Sequence, residues 1–349
     1  MRYILDLPPT LAEEMNKQIR IGKYASPQEF IVAAIQNQLY IESQEISEAA
    51  PAAGSSGVAA TSVTSTTELP VKTVAIPNLL SRDIDGVKIV TVGTLERPTE
   101  LWGQYNRLFP VKLAVRVAAN LVKQYDAEYV ALSELQEKAA EIARDLGKTI
   151  ERKDKQLGRK RGTIISAGLP VGRDEDKAIL RFKSQFVGYV AGNKDKGYWI
   201  EGAAPALRFL DMVRDEKNSV RVGLTASGAK FASLQNPVID QHDFSASLSA
   251  EEIEFLLAHI ASEVPGESRL MQLILRNVKK GIATPKELND KVRALYPKQS
   301  SENQVVSMRA GVISRMCELG LFDREKDGVK VTYVLTERGE KHLEQIAEA

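Results

Sequence analysis

The chain has 349 residues, with 47 Lys and Arg against 46 Asp and Glu, one cysteine and 43% hydrophobic residues. That length allows two or three domains with ample core, and a single cysteine excludes both a disulfide framework and a cysteine-based zinc finger. No 18-residue apolar run and no basic-then-apolar leader occurs, so no membrane contact or secretion is expected and the expected location is a reducing cytoplasm.

The charge is unevenly spread. Residues 81–240 carry 27 basic and 21 acidic side chains, whereas 1–44, 45–80 and 241–349 stand at −1, −2 and −2. The total of +1 therefore does not exclude a nucleic-acid partner.

In chain order, residues 1–7 alternate as a short strand, with Tyr3, Leu5 and Leu7 on one face, and Pro8-Pro9 stops it. Leu11, Met15 and Ile19 mark a helix over 10–21, which Gly22 ends. Ser26-Pro27-Gln28-Glu29 is a capping box with proline at the first helical position, followed by Phe30, Ile31, Ala34, Ile35 and Leu39 at helical spacing. One strand and two helices make no stable core alone, so a second copy is needed. This order resembles the ribbon–helix–helix family, the antitoxin-like repressors in particular, over residues 1–42. The resemblance implies a homodimer whose paired strands enter the DNA major groove, with Arg2 facing bases and Ser26 at a helix N-terminus meeting a phosphate. Ile4 and Asp6 share the face of Arg2 and suit DNA poorly, so the module is expected to be a dimerisation device first.

Residues 49–67 hold only Ala, Pro, Gly, Ser, Val and Thr. Such a stretch buries too little apolar surface to offset its ordering entropy, so 45–80 is expected to be a disordered linker.

The body beyond it is expected to be two modules, 81–240 and 241–349. In the first, Pro110 to Gln124 is an amphipathic helix, and Ser133-Glu134-Leu135-Gln136 opens another that ends near Leu146-Gly147. Between Arg144 and Arg161 lie eight basic residues against three acidic ones, the densest basic run. Arg152, Lys155 and Arg159 fall on one side of a helix, with Lys160 and Arg161 following. Arg181 to Tyr189 reads as a strand that turns through Lys194 and Lys196 and returns at Tyr198-Trp199-Ile200, a hairpin suited to a DNA backbone or minor groove.

The second module opens with Ser249-Ala250-Glu251-Glu252 capping a helix, then one over 267–280, then Thr284-Pro285-Lys286-Glu287 opening a third. A fourth runs from Ser301 to Leu319, ended by Gly320, before a hairpin turning at Lys326-Asp327-Gly328. On the fourth helix Val305, Met308, Val312, Ile313, Met316 and Leu319 share one face. The opposite face is Asn303, Ser307, Ala310 and Ser314, flanked by Arg309 and Arg315. Small polar side chains allow approach to base edges, and they equally mark a helix that packs on protein.

Leu224-Thr225-Ala226-Ser227-Gly228-Ala229-Lys230 and Leu335-Thr336-Glu337-Arg338-Gly339-Glu340-Lys341 both read L-T-x-x-G-x-K after a Val-rich strand. Each resembles the end of a winged-helix domain of transcription regulators, and two at domain spacing imply tandem winged-helix-like modules. The expected fold class is mainly α with small β elements, an α+β chain.

No cofactor, metal or catalytic set is expected. His242, His259 and His342 lack ligand spacing, and Gly147-Lys148-Thr149 resembles a P-loop end with Ile142 where glycine is required. The one enzymatic alternative places Asp154 with Glu175-Asp176-Lys177 as a Mg²⁺-dependent nuclease. The reading reached is a dimeric, sequence-dependent binder of double-stranded DNA that regulates transcription. A plasmid partition or replication-initiation protein uses the same parts, and a non-catalytic adaptor that binds a protein partner is the alternative from another class.

Overall fold

The computed structural model describes residues 78–91, 101–159, 163–191, 198–296, 301–328 and 330–348, with a few isolated positions before residue 28. The chain divides into two units, 1–71 and 72–349. In the first, Ala12, Glu13, Met15 and Asn16 are helical and Met15 is buried, inside the helix expected over 10–21. The expected strand at 1–7 and the linker stretch 49–67 lie outside the described residues.

The second unit is mainly helical with small antiparallel sheets. Its axis is α1 (Phe109–Tyr125), buried from Phe109 to Val122 on every side rather than along one stripe. Lys112 and Arg116 are therefore inside, where an unpaired charge is costly. Lys112 Nζ lies 2.8 Å from Glu252 Oε1 and donates to the Phe231 and Leu234 carbonyls at 2.5 and 2.8 Å. Arg116 pairs with Asp240 at 2.7 Å and donates to the Leu80 and Leu234 carbonyls. Removal from water pulls the Lys112 ammonium down to about 8, against the opposing pull of Glu252.

Next come β1 (Tyr129–Ala131) and α2 (Leu132–Gln156), then α3 (Glu175–Phe182), which runs into a π-turn over Lys183–Val187. The strand expected from Arg181 thus begins only at Gly188. Phe182, Phe186 and Val187 are buried at helical spacing, although R-F-K-S-Q-F also reads as alternation. β2 (Gly188–Ala191) and β3 (Tyr198–Glu201) form the hairpin, and α4 (Ala203–Ala206) follows.

β4 (Leu210–Arg214) and β5 (Val220–Leu224) form a second hairpin, which β1 completes in the order β1-β5-β4. After it come α5 (Ala226–Ser233) and α6 (Pro237–Gln241). The remaining helices are α7 (Ala250–Glu263), α8 (Pro265–Lys279), α9 (Pro285–Leu295) and α10 (Glu302–Glu318). β6 (Phe322–Asp327) and β7 (Lys330–Leu335) pair ahead of α11 (Glu337–Glu348). Ser249, Thr284 and Ser301 each close a full capping box at the start of α7, α9 and α10.

The two L-T-x-x-G stretches are built alike. Thr225 Oγ1 accepts from the Gly228 N–H and Thr336 Oγ1 from the Gly339 N–H, each at 3.0 Å. Each hydroxyl donates in turn, Thr225 to the Arg208 carbonyl at 2.7 Å and Thr336 to the Gly320 carbonyl at 2.6 Å. Arg208 and Gly320 both sit at positive φ, 64° and 69°. A Cβ on Gly228 would stand 2.0 Å from the Phe209 carbonyl oxygen, and one on Gly339 2.2 Å from that of Leu321, so glycine alone lets each helix approach its hairpin this closely. The Tyr333 N–H also donates to the Ala283 carbonyl at 3.0 Å, where β1 meets β5 in the first copy. One hydrophobic cluster runs from Leu80 to Tyr333. Among the described residues no helix is long and apolar enough to cross a membrane.

Candidate nucleic-acid interface

The basic run rides on the last turns of α2. That helix buries Leu135, Ala139, Ile142, Ala143, Gly147, Ile150 and Asp154 at three- and four-residue spacing, which leaves the opposite side to water. It passes through Gly147 instead of ending there. A Cβ at that position would stand 2.8 Å from Val171 Cγ1 and 3.1 Å from Leu169 Cβ, so the glycine makes room for the packed segment 169–171.

After Leu157, Gly158 at φ +61° reverses the backbone. Arg159 consequently turns inward and does not share a face with Arg152 and Lys155. Its Nη1 lies 2.7 Å from Asp154 Oδ1, its Nη2 donates to the Phe244 carbonyl, and the side chain is 11% exposed. Asp154 also accepts from the Ile165 and Ser166 N–H groups at 3.3 and 2.9 Å. Burial would raise the Asp154 carboxyl, but the Arg159 guanidinium and these N–H donors outweigh it and hold the pKa down. The segment after α2 is thereby stitched to the helix on both sides of Lys160 and Arg161, which themselves lie outside the described residues.

Pairing removes much of the remaining charge. Arg144 lies 2.9 Å from Asp145, Lys148 2.9 Å from Glu175, and Lys155 3.0 Å from Glu151. Arg152 reaches only the Lys148 carbonyl and Thr149 Oγ1. Among the described residues Arg152 and Lys153, both exposed, pair with no carboxylate. Their position at a helix C-terminus is also favourable to the helix dipole.

α3 extends this face, as the Lys148–Glu175 and Lys183–Glu137 pairs lay it antiparallel along α2. Asp174 caps its N-terminus by accepting from the Lys177 N–H. Its outward side carries Asp176, Lys177, Leu180 and Arg181, with Arg173 just before it. Arg173 and Arg181 pair with no carboxylate among the described residues. Sequence reasoning missed this helix, although Asp174 as N-cap and an acidic first turn were a helix-start signal. The nuclease grouping does not assemble: Asp154 is buried and engaged, Glu175 is paired with Lys148, and Asp176 and Lys177 face outward. Among the described residues no three His, Cys, Asp or Glu side chains converge as a metal site.

On α10 the expected reading face divides. Asn303 is exposed, while Ser307, Arg309 and Ser314 are half-buried. Arg309 donates to Asn289 Oδ1 at 3.0 Å and to the Tyr333 hydroxyl at 3.1 Å, and Ser314 Oγ accepts from Arg324 at 3.2 Å. Arg315, expected at the flank of the exposed face, is wholly buried. It binds Glu267 Oε1 through Nε at 2.8 Å and Nη2 at 2.6 Å, and its Nη1 donates to the Tyr105 carbonyl at 2.5 Å. The small residues admit segment 101–108: a Cβ on Gly103 would stand 2.1 Å from the Ser307 carbonyl oxygen, and one on Gly311 2.3 Å from that of Gly103. Arg2, Ser26, Lys194 and Lys196 lie outside the described residues.

Comparison of the chain with protein-family models, curated proteins and solved structures finds no match.

Proposed function

We propose that this chain is a dimeric, sequence-dependent binder of double-stranded DNA whose role is transcriptional regulation. The carrying observation is the face of α2 and α3, where Arg152, Lys153, Arg173 and Arg181 project with no carboxylate partner among the described residues. Unpaired cations on adjacent helices suit a polyanion, since each phosphate contact releases condensed counterions. The double occurrence of a hairpin closed by a threonine-capped helix supports the resemblance to winged helices. The outward side of α3 and the end of α2 then supply the phosphate contacts. Residues 1–44, read as a ribbon–helix–helix, join two bodies and raise their effective concentration on neighbouring sites.

Titration of duplex binding against salt tests this reading. Affinity should fall steeply with salt, and Arg152→Ala and Lys153→Ala should each flatten the log–log slope by about 0.9 per lost phosphate contact. Wild-type affinity that is absent or insensitive to salt refutes it.

A further inference from the structure

We infer, resting on the DNA reading above, that the middle of α10, around Ser307 and Gly311, is closed to nucleic acid in the working protein, so that among the described residues the second unit meets DNA through the α2–α3 face. α10 stands directly before a positive-φ residue, a hairpin and a threonine-capped helix. It is the helix that the duplicated construction would offer to a groove, and its small residues fit that use. The structure packs Ser307 and Gly311 of that helix against a different partner, segment 101–108 of the same chain.

Three contacts of different kinds seal the dock. The first is steric: Gly103 and Gly311 bring two backbones so close that a methyl group on either would overlap a carbonyl oxygen. The second is electrostatic: Arg315, one of the two arginines expected to flank the face, is spent on Glu267 and the Tyr105 carbonyl with 1% and 0% of the two charged side chains exposed. The third is a helix cap made across the dock. Glu318 at the end of α10 accepts from the Leu108 and Phe109 N–H groups at 2.7 and 3.0 Å, supplying the N-terminal partners that α1 lacks from its own Leu108. Lifting the segment would take the Tyr105 carbonyl from the buried Arg315 guanidinium and uncap the central helix at once. A loosely held flap would not be built this way, and α10 acts as the brace that fixes α1.

Two measurements on the full chain test this. In a Cys317→Ser background, Ser307→Cys, half-covered by segment 101–108, should react with a maleimide at least about 5-fold more slowly than the exposed Gln156→Cys. Comparable rates overturn the dock whatever the protein does with DNA. Separately, Asn303→Ala and Ser307→Ala should leave duplex affinity and preferred sequence within about 2-fold of wild type, below the change expected for one lost base contact. A loss beyond about 10-fold in folded protein, or a changed preferred sequence, overturns the inference. If the wild type binds no duplex, the DNA reading itself fails, and the labelling ratio alone then decides whether α10 is sealed.

Discussion

Arg315→Met separates a structural arginine from a DNA-contacting one. The substitution keeps an apolar stem and removes the guanidinium, leaving Glu267 in a site where its side chain is 0% exposed. Breaking one side of a buried pair typically costs about 3–5 kcal/mol, most of it the penalty of the stranded charge. Taking about 4 kcal/mol, and roughly 2–4 °C per kcal/mol for a unit of this size, the thermal midpoint should fall by about 8–16 °C. Arg315→Met/Glu267→Gln removes the stranded charge and should recover a substantial part of that loss. Scanning calorimetry, supported by urea titration, reads both. A single variant within about 2 °C of wild type, or a double variant less stable than the single, refutes the burial argument. Lost DNA binding at unchanged stability would return Arg315 to the surface.

Further outcomes follow from the same contacts. Thr225→Ala and Thr336→Ala each remove a helix cap and should cost about 1–2 kcal/mol apiece by urea denaturation; unequal costs, with one near zero, would contradict the matched construction. Gly147→Leu drives a side chain into Val171 and Leu169 and should destabilise by about 1–3 kcal/mol or more; a neutral result would mean that 169–171 does not pack there. Lys112 titrates near 8 when folded, against 10.5 for the free side chain. The unfolded state therefore binds more protons between these values, so stability should rise with pH across that window relative to Lys112→Met/Glu252→Gln, and a flat difference would refute the shift. Asp154→Ala frees Arg159 and unties residues 165–166, so trypsin should cut near Lys160 and Arg161 faster than in wild type; an unchanged rate would contradict the stitch.

The parts of this fold that were legible in the sequence are those set by local chemistry. Capping boxes at Ser249 and Thr284, the helix start at Ser301, the turn at Gly328 and both threonine caps act within a few residues, and all appear where expected. What was not legible depends on distant partners. Gly147 looks like a helix stop until Val171 is packed against it, and Phe182 and Phe186 fit a strand or a helix until α2 lies beside them. Arg315 and Arg159 looked like free cations because Glu267, Asp154 and two carbonyl groups that consume them are far away or behind a chain reversal. The same blindness hid Lys112 and Arg116 inside α1. For the candidate site, composition marks the basic run but does not say which of its cations remain unpaired. Arg152 and Lys153 do, among the described residues, whereas Arg159 does not.

The most direct test of DNA engagement through the α2–α3 face is lysine protection mapping by mass spectrometry, with and without duplex DNA at low salt. Lys148, Lys153, Lys155 and Lys177 should lose reactivity towards acetylation when DNA is bound, while the exposed Lys286 and Lys291 on α9 stay unchanged. Protection centred on Lys286 and Lys291, with the α2–α3 lysines still fully reactive in a DNA complex, would contradict the account.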